Sequence, residues 1–110
     1  MKQIDRSTLQ QRLGKATLVE ALPDKYWRDW HLPGAKHLPH DQVRQLAAHV
    51  LPDRDAEIIV YCASATCQNS HLAARVLAQM GYVNVAVYAG GKQEWQEAGL
   101  AVEQGAAMAV

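Results

Sequence analysis

The amino-acid sequence alternates short apolar runs with amphipathic segments, which predicts strands and helices joined by short connections. Three apolar runs predict strands, at residues 16–20, 57–61 and 83–88. Five segments predict helices or helical turns, at residues 8–13, 24–29, 41–51, 70–80 and 92–98. The run that begins at Ile58 is continuously apolar, as expected in a sheet covered on both faces. This alternation predicts the α/β class, with a mostly parallel central sheet and helices on both faces.

Capping and turn residues set several of the predicted boundaries. Ser7 is predicted to cap the first helix and Gly14 to end it. Two prolines and a glycine predict a loop with a turn at residues 31–39. Apolar residues at helical spacing predict the core face of the helix at 70–80: Leu72, Ala73, Val76, Leu77 and Met80.

The segment 57–80, EIIVYCASATCQNSHLAARVLAQM, combines a predicted strand, a short polar stretch of small residues and a predicted helix. Cys62 ends the strand, and Ser70 is predicted to be the N-cap of the helix. At such a junction, backbone N–H groups and the helix dipole stabilise a thiolate. Ligands of parallel sheets bind outside the carboxyl ends of the strands. The segment is therefore a candidate thiol active site.

Composition narrows the class of protein. With 110 residues, 49% of them hydrophobic and 20% charged, the chain fits one globular domain over residues 1–110, with a core at about 5–103 and a flexible tail at 104–110. Lys plus Arg and Asp plus Glu both number 11, so no net positive charge favours nucleic acid or a membrane surface as a partner. No apolar run reaches the length of a signal peptide or a membrane span, and we expect a cytoplasmic protein.

Several segments occur in an order that is typical of one family. They are HLPGAKHLP (31–39), IIVYC (58–62), AARVLAQMGY (73–82), NVAVYAGG (84–91), Trp95 and EAGLAVE (97–103). Together they resemble the rhodanese-like sulfurtransferase family over about residues 18–103. The resemblance implies a three-layer α/β fold and a sulfurtransferase activity without a cofactor or metal.

The resemblance also implies a role for each residue of the polar stretch. Cys62 would accept a sulfane sulfur as a persulfide and pass it to cyanide or to a thiol, including a thiol on a protein. The sulfur donor would be a persulfide or thiosulfate. The cradle around the sulfur would consist of seven residues: Ala63, Ser64, Ala65, Thr66, Cys67, Gln68 and Asn69. Nothing in the sequence indicates the oligomeric state.

The stretch departs from the family pattern by being longer and by lacking both its glycine and its arginine. The Asp-x-Arg motif reads Glu20-Ala21-Leu22, and Trp30 stands where a glycine precedes His31. Because the arginine fork is suited to phosphate, arsenate and sulfonate, its loss disfavours a phosphatase or an arsenate reductase. It also favours a persulfide donor over thiosulfate. Lys92 and His71 are the nearest candidates for a positive charge.

Cys67 leaves three interpretations open. It is a resolving thiol that attacks a Cys62 persulfide or sulfenic acid, or a small buried filler, or a metal ligand. The alternatives to an enzyme are therefore a redox-sensing module that uses a Cys62–Cys67 disulfide, and a zinc loop formed with His71. His31, His37 and His40 are not expected to bind a metal, because a Pro-Gly turn interrupts their spacing.

Glycine and tryptophan residues predict further features around the candidate site. Gly90–Gly91 predicts a tight turn that packs near the cysteine segment. Trp95 is predicted to lie in the core, and Trp27 and Trp30 to border a pocket or a partner surface.

Overall fold

A computed structural model describes residues 2–105 as a five-stranded sheet flanked by helices. The strands are β1 (Lys2–Ile4), β2 (Thr17–Glu20), β3 (Lys36–His37), β4 (Ile58–Tyr61) and β5 (Val85–Tyr88). Their order is β1-β5-β4-β2-β3, and every neighbouring pair is parallel. The predicted α/β class is confirmed.

Helices cover both faces of the sheet. They are α1 (Arg6–Arg12), α2 (Asp24–Asp29), α3 (Val43–Val50), α4 (Asn69–Gln79) and α5 (Gly91–Glu97), with a 3₁₀ turn at His40–Gln42 before α3. The core on one face joins α3 and α4, and the core on the other joins α1 and α5. The three-layer arrangement follows from these two cores.

Strand β4 lies between β5 and β2 and contributes to both cores. Ile58 and Val60 pack with α3 and α4, whereas Ile59 and Tyr61 pack with α1 and α5. Successive side chains of a strand point to opposite faces, so a strand covered on both sides must be apolar throughout. The continuous apolar run therefore correctly predicted that β4 is covered on both faces of the sheet.

Two features of the amino-terminal region differ from the prediction. Strand β1 was not predicted, because three residues at the edge of the sheet, mostly exposed, carry no apolar pattern. Asp5, not Ser7, caps α1, since its Oδ1 accepts a hydrogen bond of 2.8 Å from the Thr8 N–H. The helix therefore begins before the predicted residue 8.

Other differences concern loops and one helix face. Residues 36–37 of the predicted loop pair with β2 as β3. On α4, Leu72 is 42% exposed, although it was predicted to lie on the core face, and Ala74, which was not predicted there, is fully buried. The small side chains of Ala73 and Ala74 therefore pack in the core on this face of the sheet.

The predicted tail at 104–110 lies largely outside the described residues, which end at Gly105. The Gly105 N–H itself donates to the Arg28 carbonyl at 2.7 Å. Among residues 2–105, no helix has both the length and the apolar character needed to span a lipid bilayer.

Candidate active site

Cys62 directly follows β4, at the carboxyl edge of the sheet, and the residues after it lead into α4. Its side chain is buried. The Cys62 Sγ lies 3.4 Å from the Cys67 carbonyl oxygen, which accepts the thiol hydrogen, and 3.3 Å from the Ser70 Oγ. The structure thus places the predicted nucleophile at the strand end, with its sulfur turned into the polar loop.

Burial raises the pKa of the Cys62 thiol above its ordinary value, because a thiolate loses solvation inside the protein. The Cys67 side chain raises this pKa further, by hydrogen bonding and by charge repulsion, and the Cys67 carbonyl accepts a hydrogen bond from the protonated thiol. Hydrogen bonds from the Ser70 side chain and backbone lower it without reversing the shift. The sequence predicted that backbone N–H groups and the helix dipole would favour the thiolate, and in the structure desolvation outweighs these donors.

Ser70 is not the predicted N-cap. Helix α4 begins at Asn69, and Gln68 occupies the cap position without a side-chain hydrogen bond to the helix. Ser70 lies in the first turn, is buried, and directs its hydroxyl to the Cys62 sulfur. The residue is thus part of the thiol's environment, because the helix starts earlier than the capping signal suggested.

The predicted cradle residues 63–68 form the loop between Cys62 and α4, and Asn69 is the first residue of that helix. The Cys67 N–H donates to the Ser64 carbonyl at 3.1 Å, and the Ser64 and Thr66 hydroxyls lie 3.2 Å apart. The N–H groups of Ala63, Ser64 and Ala65 donate to no protein acceptor within residues 2–105. Exposed positions are Ala63, Ala65, Thr66 and Gln68, and partly buried positions are Ser64, Cys67 and Asn69. Free donors and small side chains make the turn able to hold a charged sulfur.

The first residues of α5 pack against the start of this turn. The Lys92 N–H donates to the Cys62 carbonyl at 2.9 Å, and the Gln93 N–H donates to the Ala63 carbonyl at 2.8 Å. Gly91 has a φ of +66°, and a Cβ there would lie 2.5 Å from the Cys62 carbonyl oxygen. The predicted glycine turn beside the cysteine segment is confirmed, and only glycine fits at position 91.

The side chain of Lys92 does not provide the positive charge that the sequence suggested for the cysteine. Its Nζ lies 3.2 Å from the Glu20 carboxylate and donates to the Tyr26 carbonyl at 2.8 Å. Both charged residues are buried. Glu20 was missed as a site residue, although it occupies the acidic position of the Asp-x-Arg motif.

The alternative zinc loop is not formed. Nowhere in residues 2–105 do three or more His, Cys, Asp or Glu side chains come together as a metal site, so Cys62, Cys67 and His71 do not. Both cysteines are free thiols. The imidazoles of His31 and His37 instead contact the backbone carbonyls of Trp27 and Leu22.

The tryptophans are placed largely as predicted. Trp95 is buried, and its Nε1 donates to the Ala101 carbonyl at 2.9 Å. Trp27 stacks on His31 with ring centroids 4.3 Å apart. Trp30 lines a surface cavity of about 250 Å³ together with residues that include Leu100.

Comparison with known proteins identifies relatives of the chain. It is 34% identical over 93 residues to the HTH-type transcriptional regulator Rv0324 of Mycobacterium tuberculosis, an alignment that covers 84% of this chain and 40% of the regulator. It is 32% identical over 64 residues to the thiosulfate sulfurtransferase PspE of Escherichia coli, covering 58% of this chain and 59% of that enzyme. The chain therefore spans less than two thirds of the length of either relative.

The structure of the BH2092 protein from Bacillus halodurans superposes with a TM-score of 0.85 at 23% identity, over 94% of this chain and 77% of that one. This likeness shows the same fold. A sequence profile of the family described as Rhodanese-like domain matches residues 5–98, which is most of the chain. The chain belongs to the family of rhodanese-like domains.

Proposed function

We propose that this protein is a sulfurtransferase in which Cys62 carries a sulfane sulfur from a donor to a thiol or cyanide acceptor. The observation that carries the proposal is the position of the Cys62 sulfur, 3.3 Å from the Ser70 Oγ and 3.4 Å from the Cys67 carbonyl, in a loop that contains free N–H donors. Membership of the rhodanese-like family supports it, as does the similarity to a relative named a thiosulfate sulfurtransferase.

The reaction has two displacement steps. The Cys62 thiolate attacks the terminal sulfur of a persulfide, R–S–SH, the donor's S–S bond breaks, and the thiolate RS⁻ leaves with the bonding electron pair. Cys62 then holds the sulfur as Cys62–S–SH. In the second step an acceptor such as cyanide attacks the outer sulfur, and thiocyanate leaves while Cys62 returns to its thiolate. No electrons are gained or lost overall.

The loop supplies hydrogen bonds for the charge that these steps create. The Ser70 hydroxyl and N–H donate to the Cys62 thiolate, as their effect on the pKa of this thiol indicates. The N–H groups of Ala63, Ser64 and Ala65 are free to donate to the outer sulfur of a persulfide anion. Because burial raises the pKa of the Cys62 thiol, the thiolate that attacks in the first step is the minor form at neutral pH.

The charge of the loop selects among donors. No lysine or arginine occurs between Arg54 and Arg75 in the sequence, and the ammonium of Lys92 is held by Glu20. Thiosulfate carries a sulfonate that an arginine would bind through two oxygens, whereas a small or protein-borne persulfide needs no such partner. A persulfide is therefore the preferred donor. A reducing compartment such as the cytoplasm suits this chemistry, since it keeps both thiols reduced.

Steady-state kinetics with two donors test the proposal. Formation of thiocyanate from cyanide is measured with glutathione persulfide and, separately, with thiosulfate. We expect turnover with both, and a kcat/KM at least about tenfold higher for glutathione persulfide, the size of one lost charge-assisted contact. If neither donor gives turnover, the proposed sulfurtransferase function is refuted.

A second candidate function is a redox module, which is favoured by the contact between Cys62 and Cys67. The Cys67 carbonyl lies on the Cys62 sulfur, so the two residues share one turn, and Cys67 is partly exposed. With hydrogen peroxide as oxidant, the Cys62 thiolate becomes a sulfenic acid, which the Cys67 thiol attacks to give a disulfide and water. The similarity to a protein named a transcriptional regulator agrees with a sensing role.

Thiol counting separates this second function from the first. Treatment with one equivalent of hydrogen peroxide is expected to remove both free thiols and to restore them with dithiothreitol. In Cys67→Ser, peroxide would leave a sulfenic acid on Cys62 that a sulfenic-acid reagent traps. If the wild-type protein yields the same trapped sulfenic acid and no disulfide, the redox module is ruled out.

A further inference from the structure

A buried ion pair lies next to the cysteine loop, and none of the displacement steps uses it. Glu20 is 0% exposed and Lys92 is 6% exposed, and the Lys92 Nζ lies 3.2 Å from the Glu20 carboxylate. Removing two charges from water is costly, and a buried pair is often no more stabilising than apolar residues of similar size. Its presence beside the candidate site therefore requires another explanation than stability.

The pair is the centre of a network that joins four parts of the fold. The Tyr61 hydroxyl donates to Glu20 Oε1 at 2.7 Å and accepts from the Leu32 N–H at 3.1 Å. Tyr61 is the residue directly before Cys62. The Lys92 ammonium also lies 4.6 Å from the centroid of the Trp30 ring, a favourable cation–π distance. The network thus connects β2, β4, α5 and the segment around Trp30.

The backbone at Lys92 links the buried ion pair to the cysteine loop through hydrogen bonds. Its N–H holds the Cys62 carbonyl, and the next N–H, from Gln93, holds the Ala63 carbonyl. In a trans peptide the C=O and the following N–H point in opposite directions. Fixing these two carbonyls against α5 therefore orients the N–H groups of Ala63 and Ser64 away from α5. Those are two of the free donors of the turn.

Two departures from the family pattern bear on this network. The position expected to be arginine is Leu22, and the residue before His31 is Trp30 instead of glycine. The structure brings a cation to Glu20 from 72 residues later in the chain and places the Trp30 ring against that ammonium. The acidic position of the Asp-x-Arg motif therefore has a cation that the motif itself does not supply.

We propose that Lys92 is a positioning residue, whose buried ion pair with Glu20 anchors the first turn of α5 against the Cys62 and Ala63 carbonyls and so orients the loop donors for the transferred sulfur. This inference rests on the proposed sulfurtransferase function. It assigns to the pair an effect on the transition state, where the charge on the sulfur develops, and little effect on binding of the donor.

The test compares three variants, Lys92→Met, Glu20→Gln and the double variant. Each single change leaves one buried group without its partner and is expected to lower the melting temperature. The double variant removes both charges and is expected to recover most of that loss. Its kcat with glutathione persulfide and cyanide is nevertheless expected to stay at least about tenfold below the wild type, with KM changed less than about twofold.

The matched control is the double variant Arg12→Met/Glu57→Gln, which removes an ion pair at the opposite end of the sheet. Its kcat is expected to equal that of the wild type. If Lys92→Met/Glu20→Gln regains both stability and kcat, the pair is merely structural and the positioning role is refuted. Failure of the sulfurtransferase proposal is distinct from this result, because then the wild-type protein itself would not turn over.

Hydrogen exchange on the unmodified protein provides a second measurement that needs no variant. The amides of Lys92 and Gln93 are expected to exchange at least about a hundredfold more slowly than those of Ala65 and Thr66, because anchoring protects the contact with the loop carbonyls. Similar exchange rates for the two pairs of amides would overturn the anchoring, even if the double variant failed to fold.

Discussion

The two ends of the sheet each have an ion pair between a strand end and a helix, but the two pairs differ in exposure. At the amino end, Arg12 of α1 pairs with Glu57, just before β4, and their side chains are 39% and 27% exposed. At the carboxyl end, the side chains of Lys92 and Glu20 are 8% and 0% exposed. The same strand, β4, thus begins beside a solvated pair and ends at Cys62 beside a buried one.

Because the two ion pairs differ in exposure, we expect them to differ in their effects on stability and on activity. A partly exposed pair is screened by water, so the amino end should lose only a little stability without it. The carboxyl end concentrates groups that are costly to bury: a thiol, a carboxylate and an ammonium. Burial raises the pKa of Glu20 as well as that of Cys62, because the charged form of each loses solvation. Such groups are characteristic of functional sites.

The largest effect is expected from removing the sulfur itself. Cys62→Ser should abolish thiocyanate formation from glutathione persulfide, since a serine hydroxyl cannot form a persulfide. Cys67→Ser is the control and should retain transfer within about threefold, because serine keeps the backbone carbonyl that contacts the Cys62 sulfur, and loss of the Cys67 thiol removes a group that raises the pKa of Cys62. Measurable transfer by Cys62→Ser would mean that a residue elsewhere in the protein carries the sulfur.

The next effect concerns the glycine at the loop. In Gly91→Ala, the new Cβ meets the Cys62 carbonyl and the backbone has a positive φ, so we expect a loss of about 1–3 kcal/mol in unfolding free energy and at least about a tenfold loss of kcat. Gly99→Ala has a φ of +70° but nothing within 4 Å of its Cβ, and should lose stability without losing kcat. Equal kcat values for the two variants would contradict the close contact at Gly91.

Ser70→Ala is expected to have a smaller effect that depends on pH. Loss of the hydroxyl removes a donor to the thiolate, so the pKa of Cys62 should rise further. We expect a reduction of about three- to tenfold in the rate of persulfide formation at pH 7, which diminishes as the pH is raised. The control Ser7→Ala changes an exposed serine on α1 and should leave the whole pH profile unchanged. A uniform loss at every pH would mean that Ser70 does not act through the thiolate.

The ionisation of the Cys62 thiol should also be visible without a change at Ser70, through its rate of alkylation. Because the pKa of Cys62 is raised, its thiolate is the minor form at neutral pH, and alkylation by iodoacetamide should accelerate about tenfold for each pH unit up to at least pH 8.5. Cys67→Ser, which leaves Cys62 as the only thiol, allows this rate to be measured for one group. A plateau below pH 7 would show that the loop stabilises a thiolate at rest.

The smallest effect is expected at the amino end. Arg12→Met/Glu57→Gln should lower the melting temperature by less than about 4 °C, because the pair is half exposed, and its contribution should shrink further in high salt. A large loss of stability would remove the distinction between the two ends.

The sequence predicted the central strands and the position of Cys62 after β4 because both depend on local patterns. The apolar run of β4 and the cysteine at its end lie together in the chain, so their meeting needed no tertiary information. Strand β1 was missed because its short, mostly exposed sequence gives no such pattern. The Glu20–Lys92 pair was missed because its members are 72 residues apart and meet only through the sheet.

The cap at Ser70 was predicted wrongly, and the pKa of Cys62 is raised where the strand-to-helix junction favours a lower one, for one common reason. A capping signal and a helix dipole are inferred from neighbours in sequence, whereas burial is set by the whole fold. Once α4 begins at Asn69, Ser70 faces the sulfur, and the surrounding core makes the thiol harder to ionise. Loop residues between a known strand and a known helix are therefore the least predictable part of this site.

The mass of the protein after incubation with glutathione persulfide and removal of the reagent tests directly whether Cys62 carries the transferred sulfur. We expect one added sulfur atom per chain, mapped to the peptide that contains Cys62 and released as thiocyanate by cyanide. A protein that gains no sulfur, or that carries it on Cys67 with Cys62 unmodified, would refute this role of Cys62.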